Sequence, residues 1–246
     1  MDTPLILDTE TTGAMPGKDR LVSVAYKAGE ADIVHELFKP PLEIAVEAQA
    51  THHITPEMVA DKPAFIGSDT FKELEALLPE HTLVAHNAPF DIAMLEAEGL
   101  TVPHYICTVK VARHLDAEGV IPRFGLQFLR YYLKLDLPQA VAHSADGDVL
   151  VTTALFDRLV EKMKGDHSSE AELFAAMRQI TQEPMLIRRF SFGKFKGEKL
   201  QDVAAKEPGY LEWLLEQKEQ ATGKVEARGD DEDMIFSLKH FLKTRQ

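Results

Sequence analysis

An aliphatic run near the start of the chain, Leu5-Ile6-Leu7, passes without a break into Asp8-Thr9-Glu10-Thr11-Thr12-Gly13. The apolar part reads as a buried strand, and in a strand residues i and i+2 project from the same face. Asp8 and Glu10 therefore point the same way at the end of a buried element. Two carboxylates held there repel one another and lose hydration, so they call for a proton, a cationic side chain or a metal ion. No Lys or Arg lies within the run. An all-oxygen donor pair suits hard divalent cations, magnesium or manganese, better than zinc or copper. Two readings stay open on this stretch alone: a metal site on the first strand, or the solvated ends of an edge strand.

The rest of the chain narrows the class. With 246 residues it can bury one substantial core and a small second module. No basic region followed by an apolar stretch and a small-residue cleavage site opens the sequence, and no run approaches the roughly 20 apolar residues of a membrane span, so a cytoplasmic protein is expected. The single cysteine, Cys107, fits a reducing compartment and reads as a small buried residue. A net charge of −13 argues at first against a nucleic-acid partner, which usually leaves a basic footprint. The excess is confined to residues 1–182, with 15 basic against 28 acidic side chains, whereas residues 183–246 balance at 12 and 12. Part of the acidic excess would be ligands for cations that reverse the local sign.

In chain order, Leu21–Tyr26 and Ile33–Phe38 alternate as strands, and Ala28-Gly29-Glu30 reads as a tight connection. With the first strand they make an antiparallel start. Glu43–His52 is rich in helix formers, and Thr55-Pro56 reads as an N-cap followed by proline at the first helical position. Thr82–Ala85 is a short strand that feeds a turn, His86–Asp91, in which Asn87 is the expected cap. Asp91 then falls in a first helical turn beside a strand end, where ligand-binding groups gather, but the helix dipole by itself favours an acid there, and from this position alone the structural reading is preferred. Tyr105–His114 and Leu126–Leu135 read as helices. In the helix after Ala145, the positions Ala145, Asp148, Thr152, Leu155 and Leu159 share one face, which turns Asp148 towards the core. His143, five residues earlier, cannot share that face and is expected on the preceding loop. Gly147 is expected to loosen the first turn of this helix.

Four carboxylates, Asp8, Glu10, Asp91 and Asp148, thus collect at strand ends or core-facing helix positions, with a loop histidine nearby. Two magnesium ions clamped by such a set can stabilise the attacking and leaving oxygens of a displacement at phosphorus. An imidazole can take the proton from the attacking water, and His143 is the candidate. Asp8-Thr9-Glu10, Asn87-x-x-x-Asp91 and His143-x-x-x-x-Asp148, together with His52-His53-Ile54-Thr55, resemble the motifs of the histidine branch of the DEDD exonuclease superfamily across residues 4–163. The resemblance implies an α/β fold, a ribonuclease H-like mixed five-stranded sheet flanked by helices. It implies 3′-to-5′ release of nucleoside monophosphates, two Mg2+ ions on Asp8, Glu10, Asp91 and Asp148 with Mn2+ able to substitute, and His143 as general base. It also places Thr9, Thr11, His52 and Asn87 near the 3′-terminal nucleotide.

The expected organisation is an exonuclease domain over 1–163, a linker with a helical portion over 164–183, and a small α+β module over 184–246. Within the module, Phe190-Ser191-Phe192 alternates as a strand, Gly193–Gly197 reads as a hairpin connection, and Leu200–Ala205, Tyr210–Glu216 and Phe236–Leu242 read as helices around an acidic stretch, Gly229–Asp233. Phe192–Gly197 and Pro208–Leu214 resemble the C-terminal module that some bacterial members carry. Lys194 and Lys196, interleaved with Phe190, Phe192 and Phe195, could hold single-stranded nucleic acid by charge and stacking. The plainer reading, that the phenylalanines form the small core under a wet lysine face, is preferred. The expected substrate is a DNA 3′ end, single-stranded in the first instance, with no membrane partner. A polymerase or repair-protein partner is compatible with the chain but singled out by no residue. The rivals are an exoribonuclease or oligoribonuclease-like enzyme and a catalytically silent, polymerase-associated nucleic-acid-binding subunit. The complete set of carboxylates and histidine argues against the silent one.

Overall fold

The computed structural model describes residues 3–221 and 231–244, so Gly229 and Asp230 of the acidic stretch lie outside the described residues. Contacts divide the chain into two compact units, one of residues 1–108 and 125–178, the other of residues 109–124 and 179–246.

The first unit is built on β1 (Pro4–Thr11), which pairs antiparallel with β2 (Leu21–Ala28), itself antiparallel to β3 (Val34–Leu37). Leu5 and Leu7 of β1 and Leu21–Tyr26 of β2 are buried, as their aliphatic content requires. After α1 (Val46–His52), α2 (Pro56–Val59) and α3 (Asp69–Leu77), the chain returns through β4 (Thr82–Ala85), parallel to β1 on its other side. α4 (Ala88–Ala97) follows and packs on β1 and β4. β5 (Tyr105–Cys107) completes a mixed five-stranded sheet of order β3-β2-β1-β4-β5.

The single helix expected over Tyr105–His114 is therefore a strand followed by α5 (Thr108–Leu115). Three apolar residues carry no period of their own. Tyr105, Ile106 and Cys107 are made a strand by pairing with Leu83, Val84 and Ala85, a contact that local sequence does not encode. α6 (Leu126–Tyr132) and the long α7 (Ala145–Met163) follow, and α7 lies on β1 and β2 with α6 against it. The face of α7 that carries Asp148, Thr152, Leu155 and Leu159 is buried, as its spacing predicts.

α8 (Glu170–Gln182) runs from the first unit into the second. In the second unit, α9 (Leu200–Lys206), α10 (Pro208–Ala221) and α11 (Asp231–Thr244) close a core of Phe190, Phe195, Leu200, Leu211, Leu214 and Leu238 among others. The strand expected at Phe190–Phe192 does not form. Phe190 donates to the Glu198 carbonyl and accepts from the Gly197 N–H, and the one isolated bridge among the described residues, Arg189 with Lys199, leaves a ladder too short to count as a strand. Among the described residues the unit is helical, with one hairpin-like loop. Asp233 is buried in it and accepts from the Met185 N–H at 2.9 Å, with Lys110 at 3.6 Å and Arg113 at 3.8 Å supplying opposite charge. Among the described residues, no helix is long and apolar enough to cross a membrane.

Candidate active site

Asp8, Glu10 and Asp148 converge: each offers a carboxylate oxygen, and these oxygens lie within 4.8 Å of one another. Alternation along β1 brings the first two together, and the core-facing position on α7 brings the third. Asp91, in the first turn of α4, stands beside them. β1 is longer than its partner, since β4 pairs only with Pro4–Ile6, so the Thr9 N–H has no strand partner on that edge. Asp91 Oδ1 accepts from this N–H at 3.1 Å and from the Thr9 hydroxyl at 2.8 Å.

The electrostatics follow from the crowding. Burial, then Asp91, Asp148 and Glu10, raise the Asp8 carboxyl well above the ordinary carboxylate range. Burial, then Asp148 and Asp91, push Glu10 up to about 8. Asp91 is raised by burial, partly offset by the bonds from Thr9 and from its own backbone. Asp148 is raised by burial, against the bond from Gln127 and the charges of His143 and Arg130. Without a cation, then, these groups tend to hold protons. Hard oxygen donors in a cluster that resists full ionisation are a donor set that divalent ions of the magnesium type fit.

His143 sits on the exposed turn before α7 with a left-handed backbone, φ 58°. Its N–H donates to Asp148 Oδ2 at 3.2 Å, and the imidazole is close enough to lower the Asp148 pKa. Gly147 does not loosen this region. A β-carbon there would stand 2.0 Å from the Val141 carbonyl oxygen and 2.7 Å from Ser144 Oγ, so glycine is what allows the His143 turn to fold onto α7. Ser144 caps the helix by accepting from the Gly147 N–H at 3.3 Å. Asp146 reaches across to His35 of β3 at 3.4 Å, and Ser23 Oγ lies 2.9 Å from the other ring nitrogen of that histidine.

The remaining candidates are distributed differently. Thr9 is buried with its hydroxyl given to Asp91, and Thr11 is buried with its hydroxyl donated to the Gly13 carbonyl at 2.7 Å. His52 is buried. Its Nδ1 accepts from the Ile54 N–H at 3.0 Å, so Nε2 carries the proton towards the Thr11 carbonyl at 3.2 Å. Burial lowers its pKa, with the Thr11 carbonyl opposing and His53 adding to the fall. Asn87 occupies the cap position of α4 in a left-handed conformation, exposed, without the expected side-chain cap bond. In the second unit Lys194 is held by Glu207 at 2.8 Å, while Lys196 is exposed. Phe190 and Phe195 belong to the core and Phe192 is partly exposed, close to the plainer reading of that patch. Two further residues at the site carry no signal in the sequence. Gln127 Nε2 donates to Asp148 Oδ1 at 2.6 Å, and Arg130 donates to Gln127 Oε1 at 3.2 Å. They lie on a short helix with no motif, and only the fold brings them to Asp148.

Residues 5–156 match the family described as Exonuclease, and residues 190–219 match the one described as Exodeoxyribonuclease X-like C-terminal. The chain belongs to the exonuclease family and is an exonuclease of the DEDD type. Along nearly all of its length it is similar to exodeoxyribonuclease 10 of Escherichia coli (strain K12), with 32% identity over 97% of this chain and 98% of that protein. Among solved structures it is similar to exonuclease X in complex with 5′ overhanging duplex DNA, at 28% identity and a TM-score of 0.56, covering 72% of this chain and 99% of the other. Exonuclease I, at 20% identity and a TM-score of 0.57 over 72% of this chain and 43% of its own, shares the fold.

Proposed function

We propose that the protein is a metal-dependent 3′-to-5′ exodeoxyribonuclease that removes nucleoside 5′-monophosphates from DNA ends, with single-stranded 3′ ends as its substrate. The observation that carries this is the convergence of Asp8, Glu10 and Asp148 at the end of the central strand with Asp91 alongside, all four pushed towards protonation. Asp8, Glu10, Asp91 and Asp148 would hold two Mg2+ ions, replaceable by Mn2+, which supply acidification of water and neutralisation of charge at the phosphate.

The chain's own groups do the rest. Thr9 keeps Asp91 turned towards the cluster with two hydrogen bonds, and Gln127 and the His143 N–H hold the two oxygens of Asp148. His143, exposed at the rim, accepts the proton of the attacking water. The water oxygen bonds to phosphorus, the bond from phosphorus to the preceding nucleotide's 3′ oxygen breaks, and that oxygen takes a proton from solvent, so the strand leaves with a new 3′-hydroxyl. Asn87, exposed at the turn between β4 and α4, faces the terminal nucleotide, and buried Thr11 and His52 brace the end of β1 beneath it. Lys196 offers a contact to longer strands. The names of the relatives, an exodeoxyribonuclease and a nuclease bound to duplex DNA with a 5′ overhang, favour DNA.

The test is a time course on 5′-labelled DNA and RNA strands of one sequence, with Mg2+, with chelator, and with His143→Ala beside the wild type. A DNA ladder shortening from the 3′ end, abolished by chelator and slowed on the order of 100-fold or more in the variant, is expected. A ladder favouring RNA overturns the substrate. No product on either strand overturns the activity.

A further inference from the structure

Asp148 and the loop that carries His143 depend on the same side chain. The segment between α6 and α7 is irregular and contains two non-glycine residues with left-handed backbones, Lys134 at φ 56° and His143 at φ 58°. Such conformations persist only where the surroundings hold them. Arg130 is buried on α6, and its guanidinium donates to the backbone carbonyls of Leu137 and, at 3.0 Å, of Ala140, both in that segment. The same Nη1 also donates to Gln127 Oε1 at 3.2 Å. Because arginine has only donors, Gln127 must turn its oxygen to Arg130 and its amide nitrogen to Asp148, which accepts at 2.6 Å. The other oxygen of Asp148 accepts from the His143 N–H.

We infer that Arg130 is a positioning residue: one planar guanidinium sets the path of the His143 loop and, through the amide of Gln127, the orientation of Asp148. The inference rests on the nuclease reading above and deepens it. Lysine would keep the charge but could not span two carbonyls and an amide in one plane. Without the fork, the Gln127 amide is free to flip and face Asp148 with its oxygen, which repels.

The test compares wild type, Arg130→Ala, Arg130→Lys and Gln127→Met on 5′-labelled single-stranded DNA, with Mn2+ binding measured separately by titration calorimetry. Arg130→Ala should lower kcat about 100-fold, the loss typical of catalytic groups displaced by an ångström, with KM changed less than about threefold. Millimolar guanidinium should restore kcat at least about tenfold by refilling the site, a readout that mere structural damage does not give. Arg130→Lys should behave like Arg130→Ala. Gln127→Met should weaken Mn2+ binding by about 10- to 100-fold, as expected for loss of a group that orients a ligand. Near-wild-type kcat in Arg130→Ala, a loss that guanidinium does not rescue, full activity in Arg130→Lys, or unchanged Mn2+ affinity in Gln127→Met overturns the inference. Absence of exonuclease activity in the wild type fails the parent reading instead, and the two failures are distinguishable.

Discussion

Replacing Gly147 by alanine separates stability from catalysis in a way that the His143 loop makes quantitative. The added β-carbon would meet the Val141 carbonyl oxygen at 2.0 Å and the Val141 nitrogen at 2.8 Å. Both are backbone atoms, so no side-chain rotation relieves the overlap, and the turn has to retreat by about 1 Å or more to reach even a tight contact. In the helix itself alanine is favoured over glycine by about 1 kcal/mol. Against that, the retreat weakens the Ser144 cap, worth about 0.5–2 kcal/mol. The two nearly cancel, and stretching the His143 N–H bond to Asp148 costs about 1 kcal/mol more, so the urea midpoint should fall only modestly. Catalysis has no such compensation, because His143 travels with the turn, and a 1 Å displacement of a catalytic group costs on the order of 100-fold in kcat. The assay is kcat on a 5′-labelled oligonucleotide beside urea unfolding and the Mg2+-induced rise in Tm, which should persist because Asp148 remains on α7. Adding His143→Ala to the variant should lower kcat little further, since on the proposed mechanism both changes remove the same base. A Gly147→Ala enzyme with kcat within about threefold of wild type would refute the reasoning, for it would mean that His143 does not act from this turn.

Three further outcomes are expected. The carboxylates have folded-state pKa values raised above their ordinary 3.8–4.5, so the stability they lend the metal-free protein is complete at low pH and is lost as pH rises through their folded values, which for Glu10 is about 8. In chelator, Glu10→Gln should therefore gain Tm over wild type increasingly from pH 5 to 8.5, measured by differential scanning fluorimetry, and a constant difference across that range counts against the crowding. Thr9→Val removes one of two bonds to Asp91 and should cost about 1.5–3 kcal/mol of stability in saturating Mg2+, by urea unfolding, while alkaline-shifting the rate profile as Asp91 holds its proton more tightly. Lys196→Glu should raise KM for a 20-mer more than for a dinucleotide, whereas Lys194→Ala should do little because Glu207 already holds that lysine; equal effects on both substrates sink the strand contact.

Three of the carboxylates are legible by a local rule: Asp8 and Glu10 follow from the two-residue period of a strand and Asp148 from the period of a helix. Asp91, in a first turn where the helix dipole alone accounts for an acid, joins them only through the motif resemblance. What holds them is not legible. Gln127 lies 21 residues from Asp148, and Arg130 meets carbonyls whose loop has no regular structure, so neither contact leaves a period in the sequence. Gly147 differs from its expected effect for a related reason. Its helical cost is a local property, while its use depends on the approach of Val141, which only the folded turn shows. The strand at Tyr105–Cys107 and the missing one at Phe190–Phe192 make the same point from opposite sides: a three-residue apolar run becomes a strand when a neighbour such as β4 lies ready to pair with it, and not otherwise.

One mismatch of lengths accounts for where the site stands. β1 runs eight residues, but β4 accompanies it for only the first three, leaving the end of the central strand with an unpaired edge on that side. A buried backbone N–H needs an acceptor, and at Thr9 the acceptor is Asp91, delivered by the helix that starts where β4 stops. The carboxylate that completes the hydrogen bonding of the sheet is thus the same one that stands beside the acidic cluster and adds to its charge. That is how the carboxylates can crowd closely enough to repel one another and still be held in place: Thr9 anchors one of them from the strand, and Gln127 and the His143 turn anchor another from α6 and the loop, so that the two proposed Mg2+ ions would meet a set already fixed in position.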